Sequence, residues 1–201
     1  MPQESLTIII NGATGVGKTT ASDHLSRKLN CSSISTDHVR QRLRDRLSRQ
    51  QCPVLFKSSY EIDRRSVDDT SQNVLTNYVA QAAIVVSEIG SQYLGSGNRC
   101  VIVEGVHLNS SVLSMLGSKD YIILFLRMPG IQEHRRRLRQ RNLLGRAMSD
   151  KHCSYFNNIR DIGTFLDNNW SLEAQNNRRV FLIDAWQEVD AILGRFIDHG
   201  I

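Results

Sequence analysis

Proline, cysteine and aromatic residues are all scarce in this chain. Three prolines in 201 residues, and no Ser/Gly/Pro-rich tract, argue against modules joined by a linker and for a single domain over 1–201. The four cysteines (Cys31, Cys52, Cys100 and Cys153) are widely scattered, with no C-x-x-C pair and no histidine at zinc spacing. That excludes a legible zinc site and predicts reduced, cytoplasmic thiols, with Cys31 and Cys100 serving as small apolar residues at strand starts. Long apolar runs are missing as well. The longest uninterrupted one, Ile122–Leu126, is far shorter than the roughly 20 residues a membrane helix needs. Met1–Ser5 has neither a basic cluster nor an apolar stretch, so no signal peptide is expected. Aromatics make up 6% and none is interleaved with the basic clusters, which counts against a nucleic-acid groove lined with stacking platforms.

What the chain does have is a phosphate-binding loop. Gly12-Ala13-Thr14-Gly15-Val16-Gly17-Lys18-Thr19 is a complete G-x-x-x-x-G-K-[ST] pattern, and it follows the apolar run Leu6–Ile10. Glycines let successive backbone N–H groups point inward around phosphate oxygens. Lys18 can reach the β- and γ-phosphates, and Thr19 offers Mg²⁺ a hydroxyl, with Thr20 beside it. A helix predicted over Thr19–Asn30 aims its positive dipole end at the same anion.

Strands are predicted at Leu6–Asn11, Ser32–Ser35, Arg99–Glu104, Tyr121–Leu126 and Arg179–Ile183. The first, third and fourth are nearly continuous apolar runs, the mark of a parallel sheet buried on both faces. Helical spacing spans Ser71–Leu94, stopped by Gly95-Ser-Gly97. Phe156, Ile159, Ile162, Phe165 and Leu166 form a further helix face read as core, interrupted by Arg160. The alternation predicts a three-layer α/β domain, which together with the phosphate loop resembles a P-loop NTPase fold of the nucleoside-monophosphate-kinase-like kind. It has a five-stranded parallel sheet, with ligands at the carboxyl ends of the strands. Two polar stretches escape the alternation. One gives a substrate-binding insertion of about 38–70, and the other a mobile lid of about 130–150.

Chemistry-bearing residues follow the strands. Asp37 and Arg40, after the second strand, suit a carboxylate that orients or deprotonates an acceptor hydroxyl and a cation that holds the acceptor's charge. Asp37 also reads as the N-cap of a helix over 38–49, a role compatible with facing the site. Val101-Ile-Val103-Glu104-Gly105 resembles a Walker B strand. Either Glu104 holds Mg²⁺ and Asp37 is the base, or the roles are exchanged. His107 is a candidate substrate contact, or simply structural. The formal net charge of +5 includes two arginine clusters, at 40–49 and at 135–146. In the second, Arg137 and Arg141 share a helix face and can act on the transferring phosphoryl, while Arg135, Arg136 and Arg139 are expected to be solvated. Asp184-Ala185-Trp186, after the fifth strand, is the place for an adenine. Trp186 either stacks on the base or packs as the first residue of a helix over 186–198.

These blocks together resemble the kinase domain of the 2-phosphoglycerate kinase family. The resemblance rests on the phosphate loop, Ser35-Thr36-Asp37-x-Val39-Arg40 and Pro53-x-Leu55-x-x-Ser58-Ser59-Tyr60. It rests also on Glu104-Gly105-Val106-His107, Glu133-His134-x-x-Arg137-x-x-x-Arg141 and Phe156-Asn-Asn-Ile159-Arg160-x-Ile162. It implies ATP, Mg²⁺ and transfer of the γ-phosphoryl to the free hydroxyl of 2-phosphoglycerate. It places Asp37 and Arg40 at the acceptor, with Ser58, Ser59 and Tyr60 adding hydrogen bonds and Arg137 and Arg141 acting from the lid. Lys57 stands where an acid is expected. Two other functions stay open: a kinase for another acceptor (a sugar acid, a nucleoside or a nucleic-acid 5′-hydroxyl), and an ATP-binding regulatory module without an acceptor. The acceptor-side residues argue against the last, and the lack of an N-K-x-D guanine signature argues against a GTP-binding switch of the same kind.

Overall fold

The computed structural model describes residues 6–57, 60, 71–92, 100–116, 121–144, 150–177, 179–184 and 188–192. Five parallel strands form one sheet: β1 (Leu6–Gly12), β2 (Ser32–Ser35), β3 (Cys100–Glu104), β4 (Tyr121–Leu126) and β5 (Val180–Ile183), in the order β2-β3-β1-β4-β5. The apolar runs are double-sided because the pleat sends alternate residues to opposite layers. Ile8 and Ile10 join a core with Ala21, Leu25, Leu138 and Phe156, while Ile9 joins the other with Val39, Tyr78, Val86 and Trp170.

Among the described residues the α-helices are α1 (Lys18–Leu29), α2 (Thr36–Arg46), α3 (Pro53–Phe56), α4 (Ser71–Gln92), α5 (Ile131–Gln140) and α6 (Asp150–Asn176). The predicted strands sit where expected to within one residue, and the helix face of Phe156, Ile159, Ile162 and Leu166 is buried core. Gly163 lets α6 run close beneath the phosphate loop: a Cβ there would lie 2.2 Å from the Met128 sulfur and 3.1 Å from the Ala13 Cβ. Mid-helix glycine costs about 1 kcal/mol relative to alanine, so this close approach is what the position requires.

Two expectations need correction. Cys31 and Cys100 are joined in a disulfide, with Cα atoms 5.0 Å apart, and are not free thiols. The register that pairs Ser32 with Val101 sets these two residues side by side at the amino ends of β2 and β3. Helix α2 starts at Thr36 with Ser35 in the cap position, so Asp37 lies inside the first turn and is not the N-cap. Thr36 opens the helix instead, with its side chain fully buried against the Gly105 turn. Helix α5, within the stretch expected to form a lid, packs on the phosphate loop through buried His134 and Leu138; residues 145–149 of that stretch lie outside the described residues. No helix among the described residues is long and apolar enough to cross a membrane.

Candidate active site

At the end of β1 the chain turns through Gly12, Gly15 and Gly17, with φ of 149°, 88° and 109°. These are conformations that L side chains rarely adopt. At Gly12 a Cβ would also sit 2.5 Å from the Leu126 carbonyl oxygen. Helix α1 starts directly from this loop, with the Ala21 N–H donating to the Gly17 carbonyl at 3.0 Å. Lys18 arches back to donate to the Ala13 carbonyl at 2.8 Å. Burial lowers its pKa, opposed by the carboxylates of Glu104 and Asp37, while Arg141 adds to the lowering. Thr19 and Thr20 are exposed on the first turn.

Sheet register gathers the acidic residues. Glu104 pairs with Ile10 of β1 on one side and with Ser35 of β2 on the other. It therefore stands between the phosphate loop and the Ser35-Thr36-Asp37 turn, and it is 6% exposed. Burial raises its pKa, opposed by Lys18 and by a hydrogen bond from Ser35, and the charge of Asp37 raises it further. Asp37 itself is exposed at the rim. The turn behind Glu104 is held by a buried polar network that the sequence did not disclose. Asn11 Nδ2 donates to the Gly105 carbonyl at 2.7 Å, Trp170 Nε1 donates to Asn11 Oδ1 at 3.0 Å, and the Tyr78 hydroxyl donates to the Val106 carbonyl at 2.7 Å. Buried polar groups need such partners, so a lone Asn at the end of an apolar strand was the available signal.

Beside this lies a pocket lined by Asp37, Arg40, Tyr60, Tyr78, Gln81, Val106 and His107. His107 is buried, its Nδ1 3.0 Å from the Thr36 hydroxyl, and burial pulls its pKa down to about 4, so the ring is neutral near pH 7. Arg40 is partly committed: Nε donates to the Leu55 carbonyl at 3.2 Å and Nη2 to the Lys57 carbonyl at 2.8 Å, bracing the segment after α3. The Tyr60 hydroxyl meets the Thr14 hydroxyl at 3.0 Å, and Asn158 donates to the Tyr60 carbonyl at 3.0 Å. Tyr60 thus bridges the phosphate loop and the pocket. Ser58 and Ser59 lie outside the described residues, as does Trp186.

Arg137 reaches the loop, its Nη1 donating to the Val16 carbonyl at 3.4 Å and its Nε to Glu133 at 2.8 Å. Arg141, at the helix end, is close enough to influence Lys18. Of the arginines expected to be solvated, Arg135 lies over the Phe156 ring at 4.8 Å and Arg136 pairs with Glu133. His134, which stands in the Glu133–Arg141 block but to which the sequence assigned no role, is fully buried with Nε2 2.7 Å from the Thr14 carbonyl oxygen. Asp184 is exposed at the end of β5, 3.9 Å from Arg127, which in turn donates to Asp167.

Among solved structures, the fold is similar to shikimate kinase from Acinetobacter baumannii in complex with shikimate. That match has a TM-score of 0.56 and 16% identity, over 98% of this chain and 96% of the other. It is also similar to deoxyadenosine kinase from M. mycoides, with a TM-score of 0.54 and 14% identity over 96% and 99% of the chains. These show a P-loop NTPase fold of the kinase-like kind. In sequence, the chain is 29% identical to an uncharacterised protein of Dictyostelium discoideum, over 82% of this chain and 21% of that one. It is 26% identical to 2-phosphoglycerate kinase of Methanocaldococcus jannaschii (80% and 54% of the two chains) and 28% identical to that of Methanopyrus kandleri (82% and 53%). The chain thus spans about half the length of these archaeal relatives and about a fifth of the amoebal one. Residues 8–143, running from β1 through α5, match the AAA domain family, and to that family this chain belongs, as a P-loop domain similar to 2-phosphoglycerate kinase.

Proposed function

We propose that this domain is an ATP-dependent kinase that transfers the γ-phosphoryl of Mg·ATP to a hydroxyl of a small anionic acceptor, with 2-phosphoglycerate the leading candidate. The observation that carries the reading is the convergence of Lys18, Glu104 and Asp37 beside a pocket that also holds Arg40, His107 and Tyr60. A phosphate loop that only bound nucleotide would need no such acceptor side. The likeness to archaeal 2-phosphoglycerate kinases supports the same acceptor class.

The chemistry is assigned residue by residue. The loop N–H groups and Lys18 hold the nucleotide phosphates, and Asp184 marks the adenine end. Thr19 and Glu104 would hold Mg²⁺, an ion that takes one or two carboxylates when substrate phosphates supply much of the rest; with the roles exchanged, Asp37 would hold it and Glu104 would be the base. When bound, the ion neutralises charge on the phosphate oxygens. Asp37 accepts the proton of the acceptor hydroxyl as its oxygen bonds to the γ-phosphorus and the bond to the ADP oxygen breaks. Arg40, Ser58, Ser59, Tyr60, Gly105 and His107 contact the acceptor, and Arg137 and Arg141 face the transferring phosphoryl. The neutral ring of His107 offers a hydrogen bond without adding charge. An ATP- and Mg²⁺-rich cytoplasm suits this activity. The Cys31–Cys100 disulfide argues the other way, and thiol trapping in intact cells decides between them.

The test is ADP release from Mg·ATP against 2-phosphoglycerate, 3-phosphoglycerate, glycerate, gluconate, shikimate, nucleosides and a 5′-hydroxyl oligonucleotide. Saturable turnover with 2-phosphoglycerate alone is the expected result. Turnover on a different acceptor keeps the kinase and discards that substrate. Tight ATP binding with silence across the panel favours a regulatory module.

A further inference from the structure

Helix α5 does more than carry arginines. A phosphate cradle works only if its peptide N–H groups point inward, and because each peptide is planar and trans, the preceding carbonyl must then point outward. Outward carbonyls inside a packed protein need donors. The two peptides most free to flip are those leading into Gly15 and Gly17, since glycine tolerates either orientation. The carbonyls of those two peptides belong to Thr14 and Val16, and both are tied to α5: His134 Nε2 lies 2.7 Å from the Thr14 oxygen and Arg137 Nη1 lies 3.4 Å from the Val16 oxygen.

We propose that His134 is a positioning residue for nucleotide binding, its neutral Nε2–H tautomer holding the Thr14–Gly15 peptide so that the Gly15 N–H faces the phosphates. The tautomer follows from the partners. A carbonyl only accepts, so Nε2 carries the hydrogen. Nδ1 is left with a lone pair and faces Arg160 Nη1, a donor, at 3.5 Å. Arg160 also donates to the Pro129 carbonyl at 3.3 Å, tying α6 to the entry of α5. The ring is fully buried and packs tilted on Phe156 with centroids 5.7 Å apart. Gly15 completes the fit: a Cβ there would lie 3.4 Å from His134 Nε2 and 2.8 Å from Leu138 Cδ2. The charged groups facing the ring are Lys18 from the loop, Arg137 on the same helix and Arg160 from α6. With burial they disfavour protonation, the Thr14 bond being the opposing influence. A proton on Nδ1 would point at Arg160 and break the arrangement.

This inference rests on the nucleotide-binding reading of the loop, but not on any particular acceptor. Affinity for Mg·ADP is measured by calorimetry on the wild type, His134→Ala and His134→Gln, with melting temperatures and with kcat and KM for ATP. Glutamine places an amide donor near the Nε2 position and does not titrate. Loss of a hydrogen bond aimed at a partly buried carbonyl predicts affinity about tenfold weaker or more in His134→Ala, largely restored in His134→Gln. The wild type should lose affinity on acidification faster than His134→Gln; ligand titration is common to both and cancels. Should His134→Ala not fold, His134→Leu fills the volume without a donor. Unchanged ADP affinity in a folded His134→Ala or His134→Leu, with only the melting temperature lowered, makes the residue packing alone and overturns the inference. Parallel acid profiles overturn the tautomer requirement. Wild-type protein that binds Mg·ADP but phosphorylates nothing removes the kinase reading and leaves this one standing.

Discussion

Substituting Gly105 by alanine is the sharpest perturbation the structure offers. Gly105 follows Glu104 with φ of 151°, and a Cβ there would lie 1.7 Å from the Thr36 hydroxyl oxygen and 2.7 Å from both Thr36 Cβ and Cγ2. Real Cβ contacts stay beyond about 3 Å, so Thr36 must move by more than 1 Å. Thr36 is fully buried and bonded to His107, so it has no free direction to take. A disfavoured φ costs about 1–3 kcal/mol and overpacking about 1–3 kcal/mol more, so Gly105→Ala should lose roughly 4 kcal/mol. For a chain of this size that lowers the melting temperature by about 10 °C. The functional loss should be larger, because Asp37 is the next residue after Thr36. A shift of about 1 Å in a reacting group costs on the order of a hundredfold in rate. The assay pairs calorimetry with kcat measured well below the melting transition. Thr36→Gly in the same chain removes the clashing atoms but not the backbone strain, so the double variant should recover part of the stability. A Gly105→Ala protein that melts and turns over like the wild type would refute the packing of the Gly105 turn against α2.

Other expected outcomes are as follows. Asp37→Asn should cut kcat by about a hundredfold with ATP affinity nearly intact; if Glu104→Gln does this instead, the base and metal roles exchange. Asn11→Ala strands the Trp170 N–H and the Gly105 carbonyl, both buried, and should cost about 2–4 kcal/mol in urea denaturation, with no loss meaning the network is dispensable. His107 falls from 6.5 in an open chain to about 4 in the fold, so the unfolded chain binds the extra proton between those values. Stability should be complete above pH 6.5 and lost by about 3 kcal/mol as pH falls toward 4, a slope that His107→Gln should remove. The Cys31–Cys100 bond spans 69 residues, so by loop entropy its reduction should lower stability by about 4 kcal/mol, and Cys100→Ser should be insensitive to reductant.

Local pattern determined the phosphate loop, the five strands and the long helices, because each is written within a short window, whereas α3 and the first turn of α2 were not legible. Glycine spacing sets the loop, continuous apolar runs set the buried strands, and a 3.6-residue period sets the helices. The acids at strand ends were equally legible, since a parallel sheet brings its carboxyl ends together whatever the order of its strands. Tertiary structure alone decided which groups face one another across the sheet. Glu104 lies between the loop and Asp37 only because β3 inserts between β1 and β2. The same insertion aligns Cys31 with Cys100, which no spacing rule connects across 69 residues. His134 stands in a recognisable block but without a legible role, and Asn11 reads as an interruption of a strand. Each acquires its partner from an element more than 90 residues away, Thr14 for His134 and Gly105 for Asn11. Hydrogen-bond partners at such separations are set by the packing of whole layers, a property of the fold and not of any window of sequence.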